Sequence, residues 1–354
     1  MKPLGRHDRR KATQRRGLRI LLWIPCLFLL AQISGGLVLD YAWVRPRYPM
    51  KDDMLTNLHS RKHLPEIVFL GSSRFGSDID CGVMDAELRH RLGDGAPRTF
   101  NASLPAGDPT VSERTLEELL QQGHRPKLVV VEVEPGCLAG KDNWLYQHVL
   151  NVLDWRDVPE AGLALCRNGR IMYLVRGRLL PLCLHKYHIR KEATRLVKGM
   201  FGSTPALTPS DPPVGTPILD DPKPPATTAA VSAVREAGGQ VFAREVQDFH
   251  LGGVAARRLE RLLACCQSAG IKVLLVDVPV STPQRLARPS EVDKAFLEYV
   301  NTLTIRYGCA FANWRDQVPD EYFADSHHAY HEGGVYFSRR FAARELAPRW
   351  RGKE

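Results

Sequence analysis

Short apolar segments alternate with amphipathic segments along residues 66–350, and this alternation predicts the fold. Five apolar runs have strand length, at 66–70, 98–100, 127–133, 271–276 and 309–312. Between them lie segments of helical periodicity, at 83–92, 110–122, 259–266 and 291–307, with a final helix expected after Gly334. Thr110 to Glu113 fit a capping box, which places the start of the second helix there. Strands that alternate with amphipathic helices predict an α/β domain with a doubly wound parallel sheet.

A longer apolar run precedes this domain. Residues 20–39 carry no charge, whereas residues 1–19 carry eight Lys or Arg and the single acid Asp8. Twenty helical residues span about 30 Å, the hydrocarbon thickness of a bilayer, so 20–39 is predicted to be a transmembrane anchor. The basic residues before it predict a cytoplasmic tail at 1–19. A cleaved signal peptide is the alternative, for which Ser34-Gly35-Gly36 offers small residues.

The predicted orientation places the rest of the chain outside the cytoplasm. Residues 40–65 form a linker in this interpretation, and residues 66–350 form an extracytoplasmic domain. We therefore expect a single-pass protein of the cytoplasmic (inner) membrane whose main domain is periplasmic.

A long insertion, residues 136–253, interrupts the alternation of strands and helices. Eight of the 25 prolines lie between Pro205 and Pro225, so 204–226 is predicted to be a Pro-rich surface loop. Residues 167–198 mix apolar side chains with nine basic ones and one acid. Such a segment either lies on anionic lipid or a membrane partner, or forms a solvated helix on the domain's own core.

The net charge of +10 is localised. Residues 1–19 contribute +7 and residues 167–198 contribute +8, which leaves about −5 on the rest of the chain. An extended basic groove with interleaved aromatic residues does not occur outside these two blocks, and this argues against a nucleic-acid partner.

Eight cysteines occur, of which Cys26 lies within the predicted span. Disulfides are permitted outside the cytoplasm, and Cys166 and Cys183 flank one segment as the candidate pair. Cys265 and Cys266 are expected to point to opposite sides of a helix. No Cys-x-x-Cys pattern indicates zinc or thioredoxin chemistry.

Two polar segments follow predicted strands and suggest a catalytic triad. Gly71-Ser72-Ser73 comes directly after the first strand, and Asp325-Ser326-His327-His328 lies on a late loop. Because the carboxyl ends of parallel strands meet at one edge, these segments can meet there. A His near a serine takes the hydroxyl proton, and an Asp holds the imidazole in the productive tautomer. The combination predicts an enzyme that transfers acyl groups.

Other interpretations of these residues remain open at the sequence level. His327 replaces His328 as the base if the motif is Asp-x-His. Asp325, His327, His328 and His331 together form a metal site in a further interpretation, although their spacing matches no familiar ligand set. Arg74, next to Ser73, either binds an anionic substrate group or forms a structural ion pair.

The serine motif is not the Gly-x-Ser-x-Gly elbow of α/β-hydrolases, because Phe75 stands where that motif has glycine. The combination of motifs resembles the SGNH (GDSL-like) hydrolase superfamily, whose domain is flavodoxin-like. Gly71-Ser72-Ser73 resembles its first block with Ser in place of Asp, and Asp325-x-x-His328 resembles its last block, with Gly333 five residues further on. The resemblance covers about 65–135 and 254–350. It implies Ser73 as nucleophile, His328 as base and Asp325 as its orienting acid, with no cofactor and no metal.

The oxyanion motifs of that family match less well. Asn101 to Gly107 resemble the second block, with Ser103 where glycine is expected, so the backbone N–H of Ser103 is the implied donor beside that of Ser73. The third block, Gly-x-Asn-Asp, is absent, since the strand ending at Val133 continues into Glu134-Pro135-Gly136-Cys137. Asn143 is a substitute for its asparagine.

Within the superfamily, Phe69-Leu70-Gly71-Ser72-Ser73-Arg74, the anchor and the large insertion are similar to a membrane-anchored branch. This branch includes teichoic-acid D-alanyl-transfer proteins and alginate O-acetylation proteins. The resemblance implies transfer of an acyl group to a cell-surface polysaccharide or envelope polymer, beside a polytopic membrane-bound O-acyltransferase. The alternatives are an envelope esterase that removes acyl groups and a non-catalytic scaffold whose binding surface is the basic segment 167–198.

Overall fold

The computed structural model describes residues 6–39, 48–142, 144–145, 149–153, 157–186, 189–190, 193–194, 196 and 221–351. The chain divides into two compact units, residues 1–49 with 171–206, and residues 50–170 with 207–354. All of the predicted catalytic residues belong to the second unit.

A parallel sheet lies at the centre of the second unit. Its strands are β1 (Ile67–Leu70), β2 (Thr99–Asn101), β3 (Leu128–Val133), β4 (Lys272–Asp277) and β5 (Ala310–Asn313). Their spatial order is β2-β1-β3-β4-β5, and every neighbouring pair is parallel. This is one of the two common strand orders of doubly wound sheets. The predicted α/β fold with a parallel sheet is therefore confirmed.

The helices are numbered along the chain. They are α1 (Arg6–Leu37), α2 (Pro49–His59), α3 (Ser73–Asp78), α4 (Cys81–Leu92), α5 (Pro109–Gln121), α6 (Pro135–Leu138), α7 (Val149–Val152), α8 (Val158–Arg167), α9 (Ile171–Leu179), α10 (Ala229–Glu245), α11 (Gly253–Ser268), α12 (Thr282–Leu286), α13 (Ser290–Tyr307), α14 (His331–Phe341) and α15 (Ala347–Arg351).

Strands β1 and β3 are buried along their whole length, because both faces of the sheet are covered. One face packs against α5, α11 and α13, and its core includes Val68, Leu70, Leu116, Val129, Val131, Leu259, Leu262, Leu275, Phe296 and Val300. The other face packs against α4 and α14, and its core includes Ile67, Phe69, Met84, Leu88, Val130, Leu274, Phe337 and Phe341. Two apolar layers around one sheet hold the carboxyl ends of the strands in fixed positions.

The cap of helix α5 lies two residues before Thr110, the cap that the sequence suggested. Asp108 is its cap, and the Asp108 carboxylate accepts a hydrogen bond of 3.0 Å from the N–H of Val111. Pro109 is the first helical residue, a position that needs no N–H donor. Thr110, the predicted cap, instead donates its hydroxyl to Asp108.

Helix α14 begins at His331, so the prediction that the final helix follows Gly334 is wrong. The two glycines lie inside the helix because other backbone segments approach them closely. A Cβ on Gly334 would lie 2.7 Å from the carbonyl oxygen of Ser77, and one on Gly333 would lie 2.7 Å from that of Tyr322. The glycines therefore allow α14 to pack against α3 and do not mark a helix boundary.

All eight cysteines, each of which lies in the described part of the chain, have free thiols. The predicted bond between Cys166 and Cys183 is therefore wrong. Sequence spacing fixes neither the Cα separation nor the Cβ directions that a disulfide requires. Cys266 is buried and Cys265 partly exposed, as expected for neighbouring positions on α11.

The insertion contains more regular structure than the sequence suggested. It contributes α6 to α10, of which α10 is an ordered helix of 17 residues. Thr228 caps α10 by accepting a hydrogen bond from the N–H of Val231. Of the predicted Pro-rich loop, residues 204–220 lie outside the described residues.

The first unit contains α1 and α9. The predicted span 20–39 falls largely within α1, and the side chains of Leu21, Trp23 and Ile24 are exposed. Among the described residues, no helix combines the length and the hydropathy that a membrane span requires. Part of the predicted linker, at 40–47, and several residues of the basic segment, among them Lys191, lie outside the described residues.

Candidate active site

The turn after β1 presents Ser73 at the carboxyl edge of the sheet. Ser72 has an extended backbone and caps α3, and its hydroxyl accepts a hydrogen bond of 3.1 Å from the N–H of Arg74. Ser73 is the first residue of α3, where a backbone N–H has no intrahelical acceptor. This geometry leaves the Ser73 side chain half-buried and places its N–H at a helix N-terminus, which favours negative charge.

Glu132 of β3 holds this turn from below. Its two carboxylate oxygens accept hydrogen bonds from Ser72, one of 2.7 Å from the N–H and one of 2.8 Å from the hydroxyl. Gly71 is required here, because a Cβ would lie 2.5 Å from the Glu132 carboxylate. The position before Ser73, which carries Asp in the motif that this sequence resembles, is thus a Ser whose N–H and hydroxyl both donate to an acid on the neighbouring strand.

The loop that carries Asp325 and His328 reaches the same edge. Ser73 Oγ lies 2.8 Å from Nε2 of His328, and Nδ1 of His328 lies 2.7 Å from Asp325 Oδ2. The second carboxylate oxygen of Asp325 accepts hydrogen bonds of 2.8 Å from the N–H groups of His327 and His328. The structure therefore brings the three predicted side chains into one chain of hydrogen bonds.

The ionisation of Asp325 fixes the direction of these bonds. Burial alone would raise the pKa of Asp325, but the hydrogen bonds from His328 and from the backbone of His327 outweigh it and lower the pKa below the ordinary value. An ionised carboxylate only accepts hydrogen bonds, so Nδ1 of His328 donates to it. In the neutral imidazole, Nε2 is then left to accept the hydroxyl proton of Ser73.

His327 hydrogen-bonds to groups other than Ser73. Its Nδ1 is 2.8 Å from the Ser326 hydroxyl and 3.2 Å from Oε1 of Gln284. Burial, with the nearby charge of Arg74, lowers the pKa of His327 to about 3, so its ring is neutral. These contacts anchor the loop through Gln284, and the serine hydroxyl is bonded to His328.

The same loop offers three ligand atoms for a metal ion. One such atom each from Asp325, His327 and His328 lies within 4.8 Å of the other two. His331, the fourth residue of the metal interpretation, is not part of this group and lines an open pocket beside α3. Both nitrogens of His328 are engaged, one by Asp325 and one by Ser73, so a metal would have to break the chain of hydrogen bonds to use them.

Arg74 forms a structural ion pair in this structure. It is 3% exposed and contacts the buried carboxylate of Glu134, with Glu132 nearby. Burial raises the pKa of Glu132, and the positive charge of Arg74 opposes that rise. Arg74 thus compensates two acids beneath the serine turn, and its role as a substrate ligand stays a prediction.

Ser103, the predicted oxyanion donor, bonds to Asn101, the first residue of the same motif and a second candidate for binding the oxyanion or substrate. The backbone N–H of Ser103 donates to Oδ1 of Asn101 at 3.1 Å, and Nδ2 of Asn101 donates to the carbonyl of Phe75 at 2.9 Å. Asn101 therefore ties the second strand to α3. An oxyanion would have to share or displace the Ser103 bond, so its role as a donor stays a prediction. Asn143 lies outside the described residues.

An open pocket of about 390 Å³ lies along the second turn of α3. Gly76 and Ser77, one helical turn beyond Ser73, form part of its wall. Its other lining residues include Asn57, Arg61, Asp80, Asn101 and His331. The lining is mainly polar, which suits a hydroxyl-bearing or otherwise polar ligand better than a long alkyl chain.

The sequence reasoning missed Glu132, Glu134 and Arg235. The sequence does carry a signal for Glu132 and Glu134: they are acids at alternate positions near the carboxyl end of an otherwise apolar strand. No sequence signal marks Arg235, because it lies in the insertion and only tertiary packing brings it to Phe323, at the start of the loop that carries Asp325 and His328.

Comparison with known proteins gives no family. No family model matches the chain, and no curated protein matches it. Among solved structures, a gut microbial diltiazem-metabolizing enzyme is similar over 72% of this chain, at 11% identity and a TM-score of 0.31. This chain spans only 38% of that enzyme. An alpha/beta hydrolase from the metagenome of Lake Arreo, Spain, is similar over 81% of this chain and 98% of its own, at 10% identity and a TM-score of 0.35. Similarity this low carries no argument about activity.

Proposed function

We propose that this protein is a membrane-anchored serine acyltransferase that modifies a cell-surface polysaccharide or another envelope polymer. The observation that carries the proposal is the chain of hydrogen bonds from Ser73 through His328 to Asp325, with heavy-atom separations of 2.8 and 2.7 Å. Serine, imidazole and carboxylate in this order make up the unit that activates a hydroxyl for attack on an acyl carbon.

In the proposed reaction, Ser73 Oγ attacks the carbonyl carbon of the acyl donor, and its proton passes to Nε2 of His328. The oxyanion forms at the N-terminus of α3, where the N–H of Ser73 and the helix dipole stabilise negative charge. His328 then protonates the leaving group, and an acyl-serine remains. An acceptor hydroxyl gives its proton to His328 as it attacks this ester, and His328 returns that proton to Ser73 Oγ when the acyl-serine bond breaks.

Asp325 stays ionised throughout this cycle. Its lowered pKa favours the carboxylate, and the carboxylate stabilises the imidazolium that forms when Ser73 is deprotonated. The polar pocket beside α3 is the proposed site for the acceptor, since it begins one helical turn from the nucleophile.

The location proposed for this chemistry comes from the sequence. The uncharged run 20–39 after a basic tail supports a single-pass anchor in the cytoplasmic membrane with the catalytic domain in the periplasm. Since acyl-CoA is confined to the cytoplasm, a donor has to cross the membrane, and a polytopic membrane-bound O-acyltransferase is the proposed partner. Tethering Ser73 near that partner raises its effective concentration there.

The test is the acyl content of the envelope in cells that carry Ser73→Ala in place of the wild-type protein. Loss of envelope acylation supports transfer. A gain in acylation identifies an esterase that removes acyl groups. Unchanged acylation in Ser73→Ala, together with a defect when Arg190 and Lys191 are neutralised, overturns the enzyme proposal in favour of a scaffold that acts through its basic segment.

A further inference from the structure

Helix α10 of the insertion packs directly beneath the loop that carries Asp325 and His328. Arg235 is 5% exposed, and two of its nitrogens donate to the carbonyl oxygen of Phe323: Nε at 3.1 Å and Nη2 at 2.5 Å. Phe323 opens the catalytic loop, two residues before Asp325, and pairs across it with Ala329 through an isolated β-bridge. A buried guanidinium thus holds the base of the loop.

Two glycines of α10 let the helix come close to this loop. A Cβ on Gly238 would lie 2.2 Å from the hydroxyl oxygen of Ser326, and one on Gly239 would lie 2.8 Å from the carbonyl oxygen of Pro283. Glycine weakens a helix interior, so two in succession need a compensating gain. The gain here is a contact with Ser326, which stands between Asp325 and His327.

The C-terminal end of α10 reaches the charges beneath the nucleophile. Glu245 and Glu134 flank the same backbone position, since a Cβ on Gly136 would lie 2.5 Å from Glu134 Oε1 and 3.4 Å from Glu245 Oε2. Glu134 is the partner of Arg74, which follows Ser73. Burial, together with the charge of Glu134, raises the pKa of Glu245 to about 7. One helix therefore contacts the loop of Asp325 and His328 and lies close to the charges that support the Ser73 turn.

We infer that α10 is the positioning element of the triad, and that Arg235 is a positioning residue that sets where His328 stands relative to Ser73. The inference rests on the proposed function, because it assigns a role in the same serine chemistry. Its physical basis is the steep dependence of catalysis on geometry, in which a displacement of about 1 Å costs on the order of 10²-fold in rate. Without the guanidinium, the Phe323 carbonyl loses its two donors and the loop loses its fixed base.

The kinetic test is labelling of the purified full-length protein in detergent by a fluorophosphonate, which reacts with activated serines. Saturation kinetics separate the binding constant of the probe from the rate constant of labelling. Arg235→Ala is expected to lower that rate constant on the order of 10²-fold with little change in probe binding. Arg235→Lys is expected to restore part of the loss, because one ammonium donor still reaches the carbonyl. Arg244→Ala, on an exposed position of the same helix, is the matched control.

A second set of variants tests the glycine contact. Gly238→Ala is expected to slow labelling, because its methyl group displaces Ser326. In a Ser326→Gly background the obstructing side chain is gone, and adding Gly238→Ala is expected to have little further effect. Gly95→Ala is the control, since an added methyl group there meets no atom within 4 Å. Equal effects of Gly238→Ala in both backgrounds would contradict the proposed contact.

Hydrogen exchange of the peptide 322–330 provides a readout that does not depend on activity. Arg235→Ala is expected to speed exchange there, whereas Arg244→Ala is not. If the wild type is unlabelled while Arg235→Ala exchanges faster, the proposed serine chemistry is overturned and the positioning of the loop by α10 is supported. If the wild type is labelled, and folded Arg235→Ala matches it in both labelling and exchange, the inference about α10 is overturned alone.

Discussion

The hydroxyl of Ser73 lies 2.8 Å from Nε2 of His328, although 255 positions separate the two residues in the chain. Both stand beyond the carboxyl ends of strands in a parallel sheet, where segments distant in sequence converge. The sheet fixes the serine turn, and α10 with Gln284 holds the histidine loop. The proposed chemistry depends on the relative position of these two supports.

Asp325→Asn is expected to slow labelling by a fluorophosphonate by roughly 10³- to 10⁴-fold without unfolding the domain. An amide still accepts the backbone hydrogen bonds of His327 and His328, so the loop keeps its turn. The amide no longer fixes the productive tautomer of His328 or stabilises an imidazolium. Asp316→Asn, at an exposed position, should label at the wild-type rate, and equal rates in both variants would exclude Asp325 from the mechanism.

Glu132→Gln is expected to reduce the free energy of unfolding by about 1–3 kcal/mol. The carboxylate accepts two hydrogen bonds from Ser72, whereas an amide offers one acceptor and sets its NH₂ group against a donor. Urea denaturation measures the change, with Glu291→Gln at an exposed position as control. Labelling of Ser73 should also slow, because the serine turn loses its support. A Glu132→Gln protein as stable and reactive as the wild type would contradict this role.

His327→Gln is expected to weaken the dependence of stability on pH. The pKa of His327 is lowered from 6.5 to about 3, so below pH 6.5 this group binds a proton in the unfolded chain but not in the folded chain. Folding stability therefore falls as the pH falls, by at most about 1.4 kcal/mol from this group between about pH 7.5 and 5.5. Asp325, Arg74 and His328 surround the ring, and the lowered pKa of Asp325 places its own contribution at lower pH.

The measurement is urea denaturation at both pH values for wild type, His327→Gln and His250→Gln, the last at an exposed position. His327→Gln should lose less stability than the wild type on acidification, and His250→Gln should match the wild type. The same loss in all three proteins would show that His327 is not held neutral.

Local patterns were sufficient to predict the sheet, because buried strands such as β3 are nearly continuous apolar runs and their neighbouring helices have clear periodicity. They did not predict the start of α14, since the reason for Gly333 and Gly334 is a close approach by Tyr322 and Ser77 from elsewhere in the chain.

The same contrast between local sequence signals and contacts set by the packed fold applies to the site. Ser73, Asp325 and His328 could be nominated from two short motifs, each with its own local signal. The Ser72 to Glu132 contact and the Arg235 support could not, because each joins segments whose proximity is set only by the packed fold. At Ser103 a local motif indicates an oxyanion donor, but in the folded chain its N–H donates a hydrogen bond to Asn101.

The most direct test of an activated Ser73 is to locate the fluorophosphonate adduct by mass spectrometry in wild type, Ser72→Ala, Ser73→Ala and His328→Ala. We expect an adduct on Ser73 in wild type and Ser72→Ala, none on that peptide in Ser73→Ala, and much slower labelling in His328→Ala. Equal labelling of all four proteins, or of none, would contradict an activated serine at position 73.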